Sequence, residues 1–311
     1  MSAEGWPRFL VRRALHGVVV VVAVVILVFI VSRVVGDPVT RMLPIDATAE
    51  QRASLTTELG LDQPLFTQFR EFSGDVLRGD LGESLWQRRP AVDVVAERLP
   101  NTFLLIGCGM AIAVLVSVPL GIVAALRPNS WIDRASVGLS LFGFSAPQFW
   151  LGLLLILVFA VRLHWVPTSG MGSAAQLVLP SITLALPTIG RLTALVRSSM
   201  IEELNRPWIN VERANGIASW RVVGVHALRH AAGPALALGG YDLIRMWGGA
   251  SVVVESLFAW PGLGLTALDA VEQNDFVLLQ AVVIVVAGII VVTNIAIDVL
   301  HKWIDPRIGA V

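Results

Sequence analysis

The sequence has one lysine, Lys302, and one cysteine, Cys108, in 311 residues. A lone cysteine excludes an internal disulfide and a cysteine-built metal cluster. The scarcity of lysine excludes more. A phosphate-binding loop of the G-x-x-x-x-G-K-[ST] kind uses its lysine to reach the phosphates, and Lys302 stands between His301 and Trp303. ATP hydrolysis within this chain is excluded on that ground. Charge of either sign is also scarce. Charged residues make up 15% of the chain, against about 25% in ordinary globular proteins. The 23 acidic and 23 basic residues balance, which excludes a nucleic-acid binder relying on bulk positive charge. With 55% hydrophobic residues the chain is not a disordered one.

What fills the sequence instead is long apolar runs. A bilayer core about 30 Å thick takes roughly 20 apolar residues in a helix. Six segments qualify: about Leu15–Val35, Phe103–Ala125, Val137–Val161, Leu177–Val196, Ala231–Val254 and Phe276–Val299. The β-branched residues crowding the first do not indicate strands, because an open sheet edge is not viable in lipid. A cleaved signal peptide is the rival reading of that segment. Its apolar core is too long for one, and Gly36-Asp37-Pro38 is a poor cleavage site. The expected fold is therefore an all-α integral membrane protein with six transmembrane helices.

Arginine placement sets the orientation. An even number of spans puts both termini on one side, together with Arg8, Arg12, Arg13, Arg127, Arg134, the Arg197–Arg229 loop and Lys302. Both termini are expected to be cytoplasmic. Residues 1–35 form the N-terminus and first span, 36–98 an external segment of short helices and turns, 99–304 the core, and 305–311 a cytoplasmic tail. The external segment is small for an independent core and is expected to pack on the membrane domain.

Enzymatic readings fail on motif grounds. His226 and His230 have the i, i+4 spacing of zinc ligands, but Ala227 stands where H-E-x-x-H needs glutamate. Asp242 lacks a second facing aspartate. Gly143-Phe144-Ser145-Ala146 resembles a serine elbow, yet the nearest histidine in sequence, His164, lies beyond the third span. No catalytic residue and no metal site is expected.

Intramembrane charges are expensive and usually face a bundle interior or a wet cavity. Asp242 and Arg245, spaced i, i+3, form either a self-neutralised pair or a solute contact. Arg191 lies a turn or more inside the fourth span, while Glu255 and Asp298 lie near span ends and are expected to reach water. Pro147, Pro180 and Pro187 favour kinks. Between the fourth and fifth spans, a short helix is expected from Pro207, a residue suited to the first turn. Gly216 is its stop, and Ser219 is the N-cap of a second helix. Trp208, Val211 and Glu212 are expected on one face, with Asn215 following. Such a helix either lies on the membrane or inserts into a partner's groove; spacing alone leaves both open.

Several stretches in order carry a resemblance. They are Glu97-Arg-Leu-Pro100, Ser145-Ala-Pro-Gln-Phe-Trp150, Trp208 to Val222 with Gly216, Val225-His-Ala-Leu-Arg-His230, Gly248-Gly-Ala250, Phe258-Ala-Trp-Pro-Gly-Leu-Gly264 and Asp305-Pro-Arg307. Gly36-Asp-Pro38, Leu59 to Pro64 and Arg78 to Gly82 belong with them. Together they resemble the permease subunits of bacterial ABC importers of the dipeptide, oligopeptide and nickel group. The resemblance implies a multi-pass protein of the bacterial plasma (inner) membrane that forms half of a translocation pathway for peptides or similarly sized solutes. It implies as partners a second, homologous permease, two cytoplasmic ATPase subunits and an external substrate-binding protein, with ATP and Mg held by the ATPases and no cofactor in this chain. It makes residues 207–219 the coupling helix, with Pro207, Trp208, Val211, Glu212, Arg213, Ala214, Gly216 and Ser219 as ATPase-coupling residues. Arg191, Asp242 and Arg245 fall near the implied pathway. Here Arg191 replaces an aromatic, Ala194 an arginine and Asp242 a glutamine. The competing reading is an ion-coupled secondary transporter using Asp242, Arg245 and Asp298.

Overall fold

In a computed structural model that describes residues 6–35, 48–58 and 62–304, the chain is almost entirely helical. The stretches Gly36-Asp-Pro38, residues 59–61 and Asp305-Pro-Arg307 lie outside the described residues, as do both chain ends. The elements run α1 (Trp6–Val35), α2 (Ala49–Glu58), α3 (Leu65–Arg78), a two-stranded hairpin of β1 (Glu83–Ser84) and β2 (Arg89–Pro90), then α4 (Ala91–Leu126) and α5 (Trp131–Ser145). Next come α6 (Gln148–Leu155, wound more loosely to Arg162), α7 (Ala174–Leu204), α8 (Pro207–Ala214), α9 (Ser219–Arg221) and α10 (Leu228–Arg245). Last are α11 (Ser251–Leu257), α12 (Leu263–Glu272) and α13 (Phe276–Ile304).

Among the described residues four helices are long and apolar enough to cross a bilayer: Trp6–Arg33, Ala91–Leu126, Ala174–Leu204 and Phe276–Trp303. The third expected span is broken. Between α5 and α6 the chain turns by 110°, because Pro147 has no N–H to continue α5 and holds Ala146 in an extended conformation (φ −77°, ψ 134°). The fifth is also interrupted. Between α10 and α11 the backbone passes through Gly249 at φ +147°, a conformation open to glycine alone at little cost. Pro180 and Pro187, in contrast, sit inside an unbroken α7. Both are buried against neighbouring helices, which can re-satisfy the backbone groups a proline frees.

The most extensive helix contact joins α4 to α7. Its middle holds Leu105, Ile106 and Leu184, packed with Met246, Phe258 and Trp260. Small residues bring the helices together. A methyl group on Gly121 would lie 2.8 Å from the Val196 side chain, and one on Gly109 would lie 3.1 Å from that of Leu184. Helix α5 crosses α7 more closely still: methyls on Gly143 and Gly190 would meet the Leu186 and Ser140 carbonyl oxygens at 2.9 and 2.7 Å. In lipid, where apolar surface has little to gain from association, such backbone proximity supplies the dispersion contact that holds helices together. The outward faces of α1, α4 and α5 expose Leu15, Val19, Leu27, Leu115 and Leu141, as a bilayer-facing surface requires. Gly143, part of the serine-elbow resemblance, is thus a packing residue.

At the hairpin end, two buried carboxylates organise the chain. Glu255 is fully buried. It accepts hydrogen bonds from the Thr102 hydroxyl (2.7 Å) and from the N–H groups of Gly264 (2.6 Å) and Leu265 (3.0 Å) at the start of α12. The expectation that Glu255 reaches water is therefore wrong, because the first turn of α12 supplies the donors that water would have. Asp275 caps α13 through the Leu278 N–H and holds the hairpin through the Ser84 hydroxyl (2.5 Å) and the Trp86 N–H (3.1 Å). The segment before α4 packs on the bundle as expected. Phe29 of α1 meets Phe69 and Phe72 of α3, and Arg33 donates to Gln68 at 2.8 Å. Gly79 and Gly82, both at φ +81°, make the expected turns.

Replacing Gly190 by alanine places a methyl against a backbone oxygen and should destabilise the detergent-solubilised protein by about 1–3 kcal/mol. Gly138→Ala on α5, where nothing lies within 4 Å, should be neutral or stabilising by up to about 1 kcal/mol. Thermal unfolding of the two variants checks the contrast; equal melting temperatures would refute the close crossing.

Candidate functional site

Two features combine exposed chemistry with a built setting. The first is α8 and its surroundings. Pro207 occupies the first turn and Gly216 ends the helix, as expected. Gly216 sits at φ +78°, its N–H donating to the Arg213 carbonyl at 3.0 Å while Ile217 N–H reaches Glu212 at 3.2 Å. These bonds satisfy carbonyls left open at the helix end. The side that meets the bundle centres on a residue outside the expected Trp208, Val211 and Glu212 face. Ile209 is the fully buried residue, packed with Met200, Val222 and Ala227, and Trp208 and Glu212 flank it. Val211 points away and is 59% exposed. At about 100° per residue, Trp208 and Ile209 bracket the bundle-facing side with Glu212 between them, and Val211 falls outside it.

Two histidines brace this helix. His226 Nδ1 lies 2.7 Å from Glu212 Oε1, and the His230 ring packs on Trp208 with centroids 5.3 Å apart. Their i, i+4 spacing, which resembles a zinc pair in the sequence, puts both rings against α8. Pro207, Arg213, Ala214, Gly216 and Ser219 are exposed, and Trp220 is 67% exposed. Ser219 is the first residue of α9, and Ala218 takes the N-cap position without a side-chain bond; the expected serine cap is not formed. The result is a short helix fixed to the bundle on one side and presenting Val211, Ala214 and nearby Trp220 on the other.

The second feature is the charge cluster between α7 and α10. Arg191 donates to both carboxylate oxygens of Asp242, Nη2 to Oδ1 at 2.5 Å and Nε to Oδ2 at 3.2 Å. Arg245 approaches the same Oδ1 from its own helix at 3.4 Å. Asp242 is completely buried, whereas the Arg191 and Arg245 side chains are 20% and 28% exposed. The i, i+3 pair expected within α10 is thus the weaker partner, and the stronger bond crosses to Arg191, 51 residues away in sequence. Spacing had no means to show it. The structure brings all three residues together, two cations around one anion. Asp298 stands apart and pairs with Arg13 of α1 at 3.0 Å. Six residues along α7 from Arg191, Arg197 is bound by Asp133, with Nη2 to Oδ2 at 2.8 Å. Sequence reading missed that pair for the same reason.

A cavity of about 550 Å³ lies between α5, α7 and α10 beside this cluster. Arg191 and Arg197 reach into it among Val137, Phe144, Ala194 and Leu238.

Comparison with known proteins gives these features their setting. Residues 117–310 match the family described as binding-protein-dependent transport system inner membrane component, and residues 7–106 match the N-terminal region described for such membrane components. The oligopeptide transport system permease protein AppB of Bacillus subtilis is 34% identical over 312 residues, covering 96% of this chain and 98% of that one. The glutathione transport system permease protein GsiC of Escherichia coli K12 is 36% identical, covering 97% and 98%. The fold also resembles a chain of the MetNI methionine ABC transporter, solved in inward-facing conformations, with a TM-score of 0.57 at 16% identity, covering 68% of this chain and 96% of that one. The chain belongs to the family of binding-protein-dependent transport system inner membrane components. It is a multi-pass membrane permease of the ABC type, and nothing in these likenesses supports the ion-coupled alternative.

Asp242→Asn leaves Arg191 and Arg245 facing each other without their shared anion. Removing one member of a buried pair typically costs about 3–5 kcal/mol. The variant should unfold at lower temperature in detergent. Arg191→Gln combined with Asp242→Asn should cost less than the sum of the single changes; additive losses would deny the pair.

Proposed function

We propose that this chain is one half of an ATP-driven importer that carries peptides or similarly sized solutes across the bacterial plasma membrane. It works beside a second, homologous permease, two cytoplasmic ATPase subunits that hold ATP and Mg, and an external substrate-binding protein. The named functions of the relatives support the solute class. The lack of any phosphate-binding loop in this chain requires the energy source to be a partner. In this reading there are six spans, the fifth running through the Gly249 break, and both termini are cytoplasmic. Arg127, Arg134, Arg206, Arg213, Arg221 and Arg229 gather at the α8 end, as the bias of arginine toward the cytoplasm favours.

The observation that carries the reading is the two-sidedness of α8. Its Ile209, Trp208 and Glu212 side is bolted to the bundle, while Val211 and Ala214 are exposed. A helix fixed on one side and open on the other can seat in a partner's groove and pass on that partner's movement. Pro207, Trp208, Val211, Glu212, Arg213, Ala214, Gly216 and Ser219 form this coupling element. Arg191, Asp242 and Arg245 border the solute path. ATP-driven closure of the ATPases then biases the permease pair between two packings, and only an interaction that differs between the packings moves the equilibrium.

Reconstitution of the complete transporter in proteoliposomes tests this. Val211→Glu changes only the exposed face, and Gly216→Asp forces a branched side chain into a left-handed backbone where space is open. Both should leave ATP hydrolysis running while uptake falls by about tenfold or more, the size of a lost coupling free energy of 1–3 kcal/mol. Uptake at the normal rate in both variants would sink the coupling assignment.

A further inference from the structure

The cavity between α5, α7 and α10 has an unusual division of charge. Arg191 and Arg197 both line it, with 20% and 26% of their side chains exposed. The carboxylates that hold them, Asp242 and Asp133, are 0% and 4% exposed. The acids thus lie behind the arginines, and the cavity meets only the cationic side of each pair. Each guanidinium binds its acid through Nε and Nη2, which leaves the Nη1 group without a bond to that acid. Arginine's planar fork has five N–H donors, so a second acceptor can be received on the remaining edge. The other polar groups of the lining are already engaged: the Ser140 hydroxyl donates to the Ser136 carbonyl, and that of Ser198 to Leu195. Arg245 adds a second cation to Asp242, and its Nη2 is buried without a hydrogen-bond partner. Two arginines around one aspartate leave a net positive charge that nothing else in the cluster cancels.

We propose that this cavity is an anion subsite of the solute path, in which Arg191, backed by Asp242 and Arg245, receives a carboxylate group of the passing solute, with Arg197 at the cavity's other arginine position. The inference rests on the importer reading above and adds a substrate class to it: solutes with at least one free carboxylate, such as a peptide's C-terminus. The rest of the wall is mostly apolar, so the two arginines are the charged groups that the cavity presents. Asp242 serves as a positioning residue. It fixes the Arg191 fork and offsets part of its charge, so the carboxylate is attracted without being held permanently.

The test adds charge without removing either salt bridge. Ala194 lines the cavity between the two arginines. In the complete transporter in proteoliposomes, with saturating binding protein and alanyl-alanine as probe, Ala194→Asp should lower ATP-dependent uptake by about tenfold, the scale of one charge-assisted hydrogen bond. Ala194→Asn, of the same size and uncharged, should stay within about twofold of the parent. Binding-protein-stimulated ATP hydrolysis should persist in both variants. Equal losses in the two variants would show a steric effect and overturn the subsite. Unchanged uptake in both would overturn it as well. Uptake by the unmodified complex that does not depend on ATP would instead remove the importer reading, and this inference with it.

Discussion

A charge placed inside a bilayer must find its counter-charge within the protein, and in this chain that requirement fixes which helices stand together. Asp242 is wholly buried and is held by Arg191 across the α7–α10 interface. Separating the two would leave Arg191 without its counter-ion and Asp242 with only the longer contact to Arg245, at a cost larger than most single packing contacts carry. Arg197 and Asp133 repeat the arrangement between α7 and the start of α5. The arginines lie on α7 and the acids on its neighbours, so α7 is clamped from two directions. The glycine contacts at Gly143 and Gly190 close the α5 side of this clamp, and Gly109 and Gly121 bring α4 against the remaining face.

This clamp bears on how movement could pass through the molecule. Helix α8 follows directly from α7, separated only by Asn205 and Arg206. It is also tied forward, through Glu212 to His226 and Trp208 to His230, to the stretch that leads into α10. The two helices that share the Arg191–Asp242 bond are therefore the same two that hold α8. Under the proposed coupling, a displacement of α8 loads that bond from both sides rather than bending a free loop. The opposite end is stiffened in another way. There Glu255 and Asp275 spend their carboxylates on helix N-termini, where open N–H groups and the helix dipole favour negative charge. The break at Gly249 lies between these two regions.

Much of the fold was legible because lipid makes long apolar runs unambiguous. The segments around α1, α4, α7 and α13 are recognisable by length alone. Pro207 and Gly216 marked the ends of α8 because each has a local backbone reason to be there. What stayed hidden depended on tertiary contact. Pro147 broke a span while Pro180 and Pro187 did not, and only burial against neighbouring helices distinguishes them. Glu255 looked like a span-end residue free to meet water, since its donors come from Thr102 and from the first turn of α12, nine and ten residues on. Which side of α8 meets the bundle was hidden for a similar reason. Spacing grouped Trp208, Val211 and Glu212 on one face, and the bundle buries Ile209 while leaving Val211 exposed.

The opening scarcity of lysine has a second meaning once the charges are placed. Excluding a nucleotide site explains why lysine is absent from one motif, but not why nearly all basic charge is arginine. The geometry of α7 supplies a reason at two positions. A lysine at 191 or 197 would bring one compact, strongly hydrated ammonium in place of a planar fork. It would form a single point contact with the acid. A guanidinium grips both oxygens of Asp242 or Asp133 with one edge, remains charged, and still presents further N–H donors to the cavity. An intramembrane cation that must hold its own counter-ion and also face a passing solute needs two binding edges. Of the natural side chains, arginine is the permanently charged one that has them.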